Sequence, residues 1–246
     1  MHIYIHGSLL NQKKYLPTVH EIEAKITDLG LSGRVCRLGH LRSVRDIVRE
    51  ELRRMPKTIV AIGDDDLVSQ VISLMGASGV ALGIIPVGEN NQIAAGLGIT
   101  PANACNVLAA RRIIDLDLGL IDDKAFVRRA HIVSPNVKLL IDDNYQVFTD
   151  NAKTEVINFL LDTEGGENAA KPQAQSGNLY LMITKENSKF LKKKEVDTSL
   201  IPFHNLKIQT QDAEVVLDGL TTVRHPRQIT ILPKGLNVIV GRERQF

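Results

Sequence analysis

A chain of 246 residues with 43% hydrophobic content can bury a substantial core, and no apolar run reaches membrane-spanning length. The formal charge of +2 gives no electrostatic case for a nucleic-acid partner. The densest basic run, residues 189–194, reads as a solvated face, with contact to anionic lipid as the alternative. Residues 1–7 read as a short strand and lack the basic start and long apolar stretch of a signal peptide. Cys36 and Cys105 sit in a strand pattern and a helix pattern, so buried free thiols in a reduced, cytoplasmic setting are expected.

In chain order, strands are expected at residues 1–6, 34–38, 58–62 and 81–86. A helix at 16–29 carries Val19, Ile22, Ile26 and Leu29 on one face and ends before Gly30. Ser43 caps the next helix, striped by Val44, Ile47, Val48 and Leu52. Helices at 67–75 and 92–97 follow polar loops, and Pro101 takes the first helical position of one running to about Ala110. This alternation predicts a parallel sheet covered by helices on both faces.

After Arg112 the rhythm changes to short strands with little helix between them. They are expected at 113–120, 125–133, 139–141, 145–148, 156–160, 179–183, 206–209, 215–217, 228–232 and 238–240, with a hairpin turn at Asp142-Asp143-Asn144. Small polar residues at 162–178 read as a mobile loop. The expected organisation is an α/β domain over residues 1–116 and an all-β sandwich over 117–246, with a cleft between them; a return of the C-terminal segment to the first domain fits the same pattern.

Chemistry concentrates in two strand-loop-helix segments. The first loop is Gly63-Asp64-Asp65-Asp66-Leu67, and the second lies within Leu82-Gly-Ile-Ile-Pro-Val-Gly-Glu-Asn-Asn-Gln-Ile-Ala94. Loops at the carboxyl ends of parallel strands converge on a crevice, and the helices that follow aim their N-terminal amides into it. Acids at 64–66 equally suit plain capping of the helix that follows.

These segments resemble the diacylglycerol kinase catalytic-domain family, whose relatives include sphingosine kinases and, more distantly, NAD kinases. The family's Gly-Gly-Asp-Gly-Thr stands against residues 63–67, and its Leu-Gly-Ile-Ile-Pro-Leu-Gly-Thr-Gly-Asn-Asp-Phe-Ala against residues 82–94. Leu97-Gly98-Ile99, the run Ile114-Asp-Leu-Asp-Leu-Gly119, and Asp218-Gly219-Leu220 before Ile229-Thr-Ile-Leu-Pro233 continue the correspondence in order. The resemblance implies a nucleotide-binding α/β domain followed by a β-sandwich, and ATP-dependent phosphorylation of a lipid or other small hydroxyl substrate with Mg²⁺. It implies a nucleotide site at Gly7, Ser8, Gly63, Asp64, Asp65, Asp66, Gly88, Glu89, Asn90 and Asn91. Asp65 and Asp66 would be metal ligands, and Asp218 and Asp65 the catalytic acids. Nucleotide and substrate are the expected partners, with peripheral membrane contact and self-association through exposed sheet edges compatible with the pattern.

The chain departs from the family where charge matters. Asp64 and Asp66 replace glycines, Glu89 replaces a threonine, Asn90 replaces a glycine, and Leu220 replaces the glutamate after Asp218-Gly219. A carboxylate about 4 Å from a phosphate charge costs on the order of 4 kcal/mol at an effective dielectric near 20. Two would offset much of a micromolar ATP affinity of about 8 kcal/mol. A hard cation held by Asp64, Asp65, Asp66 and Glu89 would reverse that sign. The alternatives are therefore an active kinase, a catalytically inactive relative that uses the inherited cleft for ligand or protein binding, and, with less support from the 82–94 run, an NAD kinase. The seven histidines are scattered and suggest no catalytic triad.

Overall fold

The structure, a computed structural model, describes residues 1–39, 42–122, 124–160, 172–187 and 195–244. The chain divides into two compact units, Met1–Leu116 with Lys234–Gln245, and Asp117–Pro233.

In the first unit strands and helices alternate: β1 (His2–His6), α1 (Leu16–Asp28), β2 (Gly33–Arg37), α2 (Val44–Leu52), β3 (Thr58–Gly63), α3 (Asp65–Met75), β4 (Ala81–Pro86), α4 (Gln92–Gly96), α5 (Ala104–Ala110) and β5 (Ile113–Ile121), which continues into the second unit. β1 pairs in parallel with both β2 and β3, and β3 with β4. All six residues of β3 and of β4 are buried, which explains their uninterrupted apolar sequence. Each fully buried Ile, Leu or Val there contributes about 1.5–3 kcal/mol. α1 buries Val19, Ile22 and Ile26. At the start of α2, Ser43 and Asp46 cap each other's backbone amides in a reciprocal box. The regular helix α5 begins at Ala104, three residues later than the position of Pro101 suggests. Thr100 and Asn103 exchange side-chain and backbone hydrogen bonds at 2.8 and 3.3 Å, making a turn of residues 101–103.

The second unit contains β6 (Lys124–Phe126), β7 (Arg129–Ile132), β8 (Lys138–Ile141), β9 (Tyr145–Phe148), β10 (Lys153–Ile157), β11 (Leu179–Asn187), β12 (Glu195–Phe203), β13 (Asn205–Ile208), β14 (Glu214–Leu217), β15 (Thr221–Arg224) and the first half of β16 (Gln228–Ile239). One antiparallel sheet runs β12-β11-β10-β7-β14-β15. In the other, β8 pairs with β9 and β13, and β13 pairs with β16. Leu139, Ile141, Leu206 and Ile229 from the second sheet share a core with Val156, Leu181, Phe203 and Val215 from the first, so this unit is a β-sandwich. Phe126 lies over Gly119 so closely that a Cβ there would sit 2.1 Å from the ring, which accounts for that glycine.

Several strand expectations are corrected. The segment 125–133 is two strands, β6 and β7, separated by a corner at Val127 and Arg128. The segments 228–232 and 238–240 are one strand, β16, which pairs with β13 at its start and in parallel with β4 at Val238. β12 and β15 were not expected from the sequence; both lie at sheet edges. Of the loop expected at 162–178, residues 162–171 lie outside the described residues, as does the basic run 189–194. The end of this loop bonds to Asp117: the Ala174 carbonyl accepts from the Asp117 amide at 2.8 Å, and the Gly177 amide donates to the Asp117 carboxylate at 2.8 Å.

Candidate functional site

Three loops meet at the carboxyl edge of the parallel sheet in the first unit. The Gly7 amide donates to the Ile62 carbonyl at 2.9 Å, and the Val87 amide donates to the Gly63 carbonyl at 2.9 Å. The Asp65 amide donates to the Asn90 carbonyl at 2.9 Å, tying the first loop to the second. Gly63 is closely packed, since a Cβ there would meet the Leu67 side chain at 3.0 Å. Gly88 has φ of 105°, a conformation that excludes ordinary side chains, and faces Asp64. Asn91 is turned inward and donates from Nδ2 to the Gly88 carbonyl at 2.9 Å. The sequence-predicted residues Gly7, Ser8, Asp64 and Asp66 line one small cavity of about 60 Å³ with Leu67 and Gln70.

The acids in these loops have different jobs. Asp64 caps α3, accepting from the Leu67 amide at 3.3 Å. Asp65 is 4% exposed, and its two oxygens accept from the amides of Gln92 at 2.7 Å and Ile93 at 3.1 Å. It therefore clamps the beginning of α4 to α3. Asp66 and Glu89 are exposed, and among the described residues their carboxylates make no hydrogen bond. Among the described residues no group of three or more His, Cys, Asp or Glu side chains is placed to hold a metal ion. Asp65 has its carboxylate committed to backbone.

Asp218 belongs to the second unit, in the turn between β14 and β15, where it and Gly219 have φ of 48° and 77°. Its carboxylate accepts from three successive amides: Val127 at 3.0 Å, Arg128 at 2.9 Å and Arg129 at 3.0 Å. The Asp218 amide in turn donates to the Arg129 carbonyl at 2.8 Å. These bonds create the corner that separates β6 from β7. Desolvation pushes the Asp218 carboxyl up from the ordinary carboxylate range, opposed by the three amide donors and the Arg128 guanidinium. Asn158, fully buried, braces the same corner by donating to the carbonyls of Asp117 and Val127, both at 2.7 Å.

Residues 11–121 match the diacylglycerol kinase catalytic domain family. The match covers both glycine loops and ends with β5. Among solved structures, a diacylglycerol kinase from Bacillus anthracis str. Sterne superposes with a TM-score of 0.78 at 16% identity, covering 99% of this chain and 97% of that one. A candidate diacylglycerol kinase from the same organism gives a TM-score of 0.76 at 16% identity, with 99% and 98% covered. At that identity the likeness is one of fold. No protein of curated function matches the sequence. Among the described residues no helix is long and apolar enough to cross a membrane.

Sequence reasoning did not find the donors that Asp65 and Asp218 use. Gln92 and Ile93 are 27 and 28 residues from Asp65, and Val127 is 91 residues from Asp218. Nor did it single out Asn158. A lone asparagine beside an apolar strand end is the only available signal.

Proposed function

We propose that this chain is a lipid-kinase-like protein that binds ATP at the Gly7, Gly63 and Gly88 loops and transfers phosphate to a lipid or other small hydroxyl substrate. The observation that supports it is the convergence of those three glycine loops at the carboxyl edge of the parallel sheet, two of them, at Gly63 and Gly88, inside the segment that matches the diacylglycerol kinase catalytic domain. Phosphoryl transfer asks the protein chiefly for positioning and charge neutralisation. Ser8 and Asn90 would face the nucleotide, Asn91 would hold the second loop through its bond to the Gly88 carbonyl, and Mg²⁺ brought with the phosphates would meet Asp66 and Glu89.

A specific observation favours the second reading, a catalytically inactive relative. Amides that a phosphate would use at the starts of α3 and α4 are already taken by Asp64 and Asp65, and Asp218 spends both oxygens on backbone. Thermal-shift titration with ATP and ADP, each with and without Mg²⁺, separates the two. The kinase reading requires a rise in Tm that needs nucleotide and Mg²⁺ together. The double variant Asp64→Gly, Asp66→Gly removes two negative charges and should tighten ATP binding by at least about tenfold. No shift at millimolar nucleotide in either protein would leave the inactive relative standing.

A further inference from the structure

Charge is unevenly placed along this chain. Residues 34–57 carry eight Arg or Lys and three Asp or Glu, a formal +5, which leaves −3 for the rest of a chain whose total is +2. Seven of the eight are arginines, from fifteen in the whole sequence. Four of them find carboxylates: Arg34 pairs with Glu51 at 3.3 Å, Arg37 with Glu23 at 3.4 Å, and Arg54 with Glu50 at 3.0 Å, while Arg42 also pairs with Glu50. Among the described residues Arg45, Arg49, Arg53 and Lys57 make no ion pair. Asp46, the acid whose field Arg49 shares, gives its carboxylate to Ser43.

The three unpaired arginines are exposed and stand four residues apart, away from the buried Val44, Ile47 and Val48 face of α2. Arg53 follows the last residue of α2 and keeps helical backbone angles. The result is one solvent-facing stripe of guanidinium groups, about 12 Å long at the helical rise. It ends at Met55, which is 73% exposed, and Lys57. It begins beside the glycine loops: Val44, the residue before Arg45, borders the small cavity shared by Gly7, Asp64 and Asp66.

We propose that this face of α2 docks the protein on an anionic phospholipid bilayer. Arg45, Arg49, Arg53 and Lys57 meet headgroup phosphates and carboxylates, and Met55 enters the interface. A row of guanidinium forks matches a surface of repeated oxyanions, each of which a fork can take in bidentate fashion. The separation of charge turns this face toward a negative surface although the net charge is small. A polyanion in solution would use the arginines alone, whereas a bilayer also takes the exposed methionine. The choice of lipid rests on the lipid-kinase reading, since docking here sets the glycine loops beside the membrane that would hold the substrate.

Sedimentation of the full chain with two kinds of vesicle tests this, one of phosphatidylcholine alone and one with about a third phosphatidylserine. No nucleotide is present, so the result does not depend on ATP binding or turnover. The protein should bind only the anionic vesicles and should dissociate as salt rises from about 0.05 to 0.5 M. At about fivefold per guanidinium near the surface, the triple variant Arg45→Gln, Arg49→Gln, Arg53→Gln should weaken binding by about a hundredfold. Its Tm should match the native protein, because these side chains are exposed and unpaired. Met55→Ser should weaken binding by about threefold and leave the salt dependence unchanged. Arg242→Gln with Arg244→Gln removes two exposed charges after β16 and should change binding by less than about twofold. The proposal is overturned if neutral vesicles bind equally well, if the triple variant binds like the native protein, or if the Arg242, Arg244 variant loses as much. Binding to poly-glutamate without binding to vesicles would also overturn it and make the partner an acidic protein. Vesicle binding that the triple variant loses, in a protein with no nucleotide-dependent rise in Tm, would uphold this surface and overturn only the kinase reading.

Discussion

Asp65 in the first unit and Asp218 in the second solve one structural problem in two ways. Each is an acid for which family resemblance implies catalysis, and each gives both carboxylate oxygens to consecutive backbone amides. Asp65 takes two amides at the start of a short helix, where unpaired donors arise in any helix. Asp218 takes three from a corner between strands, where no regular structure would have left them free. The first acid completes an element that would form in part without it. The second creates the corner itself. An acid at a motif position can thus be indispensable to the fold irrespective of chemistry, and activity loss on mutation does not by itself identify a catalyst.

This contrast fixes the order of expected damage. Asp218→Ala leaves three amides, two of them on the buried residues Val127 and Arg128, without an acceptor. A cost on the order of 3–5 kcal/mol follows, measurable by urea unfolding. Asp65→Ala frees two amides and should cost about 2–3 kcal/mol, with faster hydrogen exchange confined to the Gln92 and Ile93 amides. If Asp65→Ala proves the more damaging, the distinction between completing an element and creating one is wrong. Asp64→Ala removes only the cap of α3 and should cost about 1 kcal/mol.

Much of the fold was legible in the sequence for reasons that the same residues illustrate. β3 and β4 are buried along their whole length, so each reads as an unbroken apolar run between polar loops. Ser43 and Asp46 are three residues apart, and their mutual capping is local enough to read. β12 was missed because Glu-Val-Asp-Thr-Ser-Leu-Ile-Pro-Phe carries little alternation and a proline, both tolerated at an edge. β15 offers only Val223 as a buried apolar residue. β16 passes through Pro233 because its two halves pair with different partners, β13 and then β4. The candidate site was legible as loops and glycines. The assignment of its carboxylates was not, since their partners are long-range backbone groups that carry no side-chain signature.

The smallest effect expected is also the one that decides Asp218's charge. Burial raises its carboxyl pKa, so between the unfolded value of about 4 and the raised folded value the native state holds more protons than the unfolded chain. Stability contributed by this group is then present at low pH and falls as pH rises through that window. Asp218→Asn lacks the titration, and every other group cancels in the difference between the two proteins. The stability gap separating native protein from Asp218→Asn should therefore narrow as pH rises from about 4 to 7. A gap that widens over the same range would mean that the three amides outweigh desolvation and depress the pKa instead. Asp218 would then be an ionised anchor at every physiological pH, held like Asp65 by the amides it accepts from.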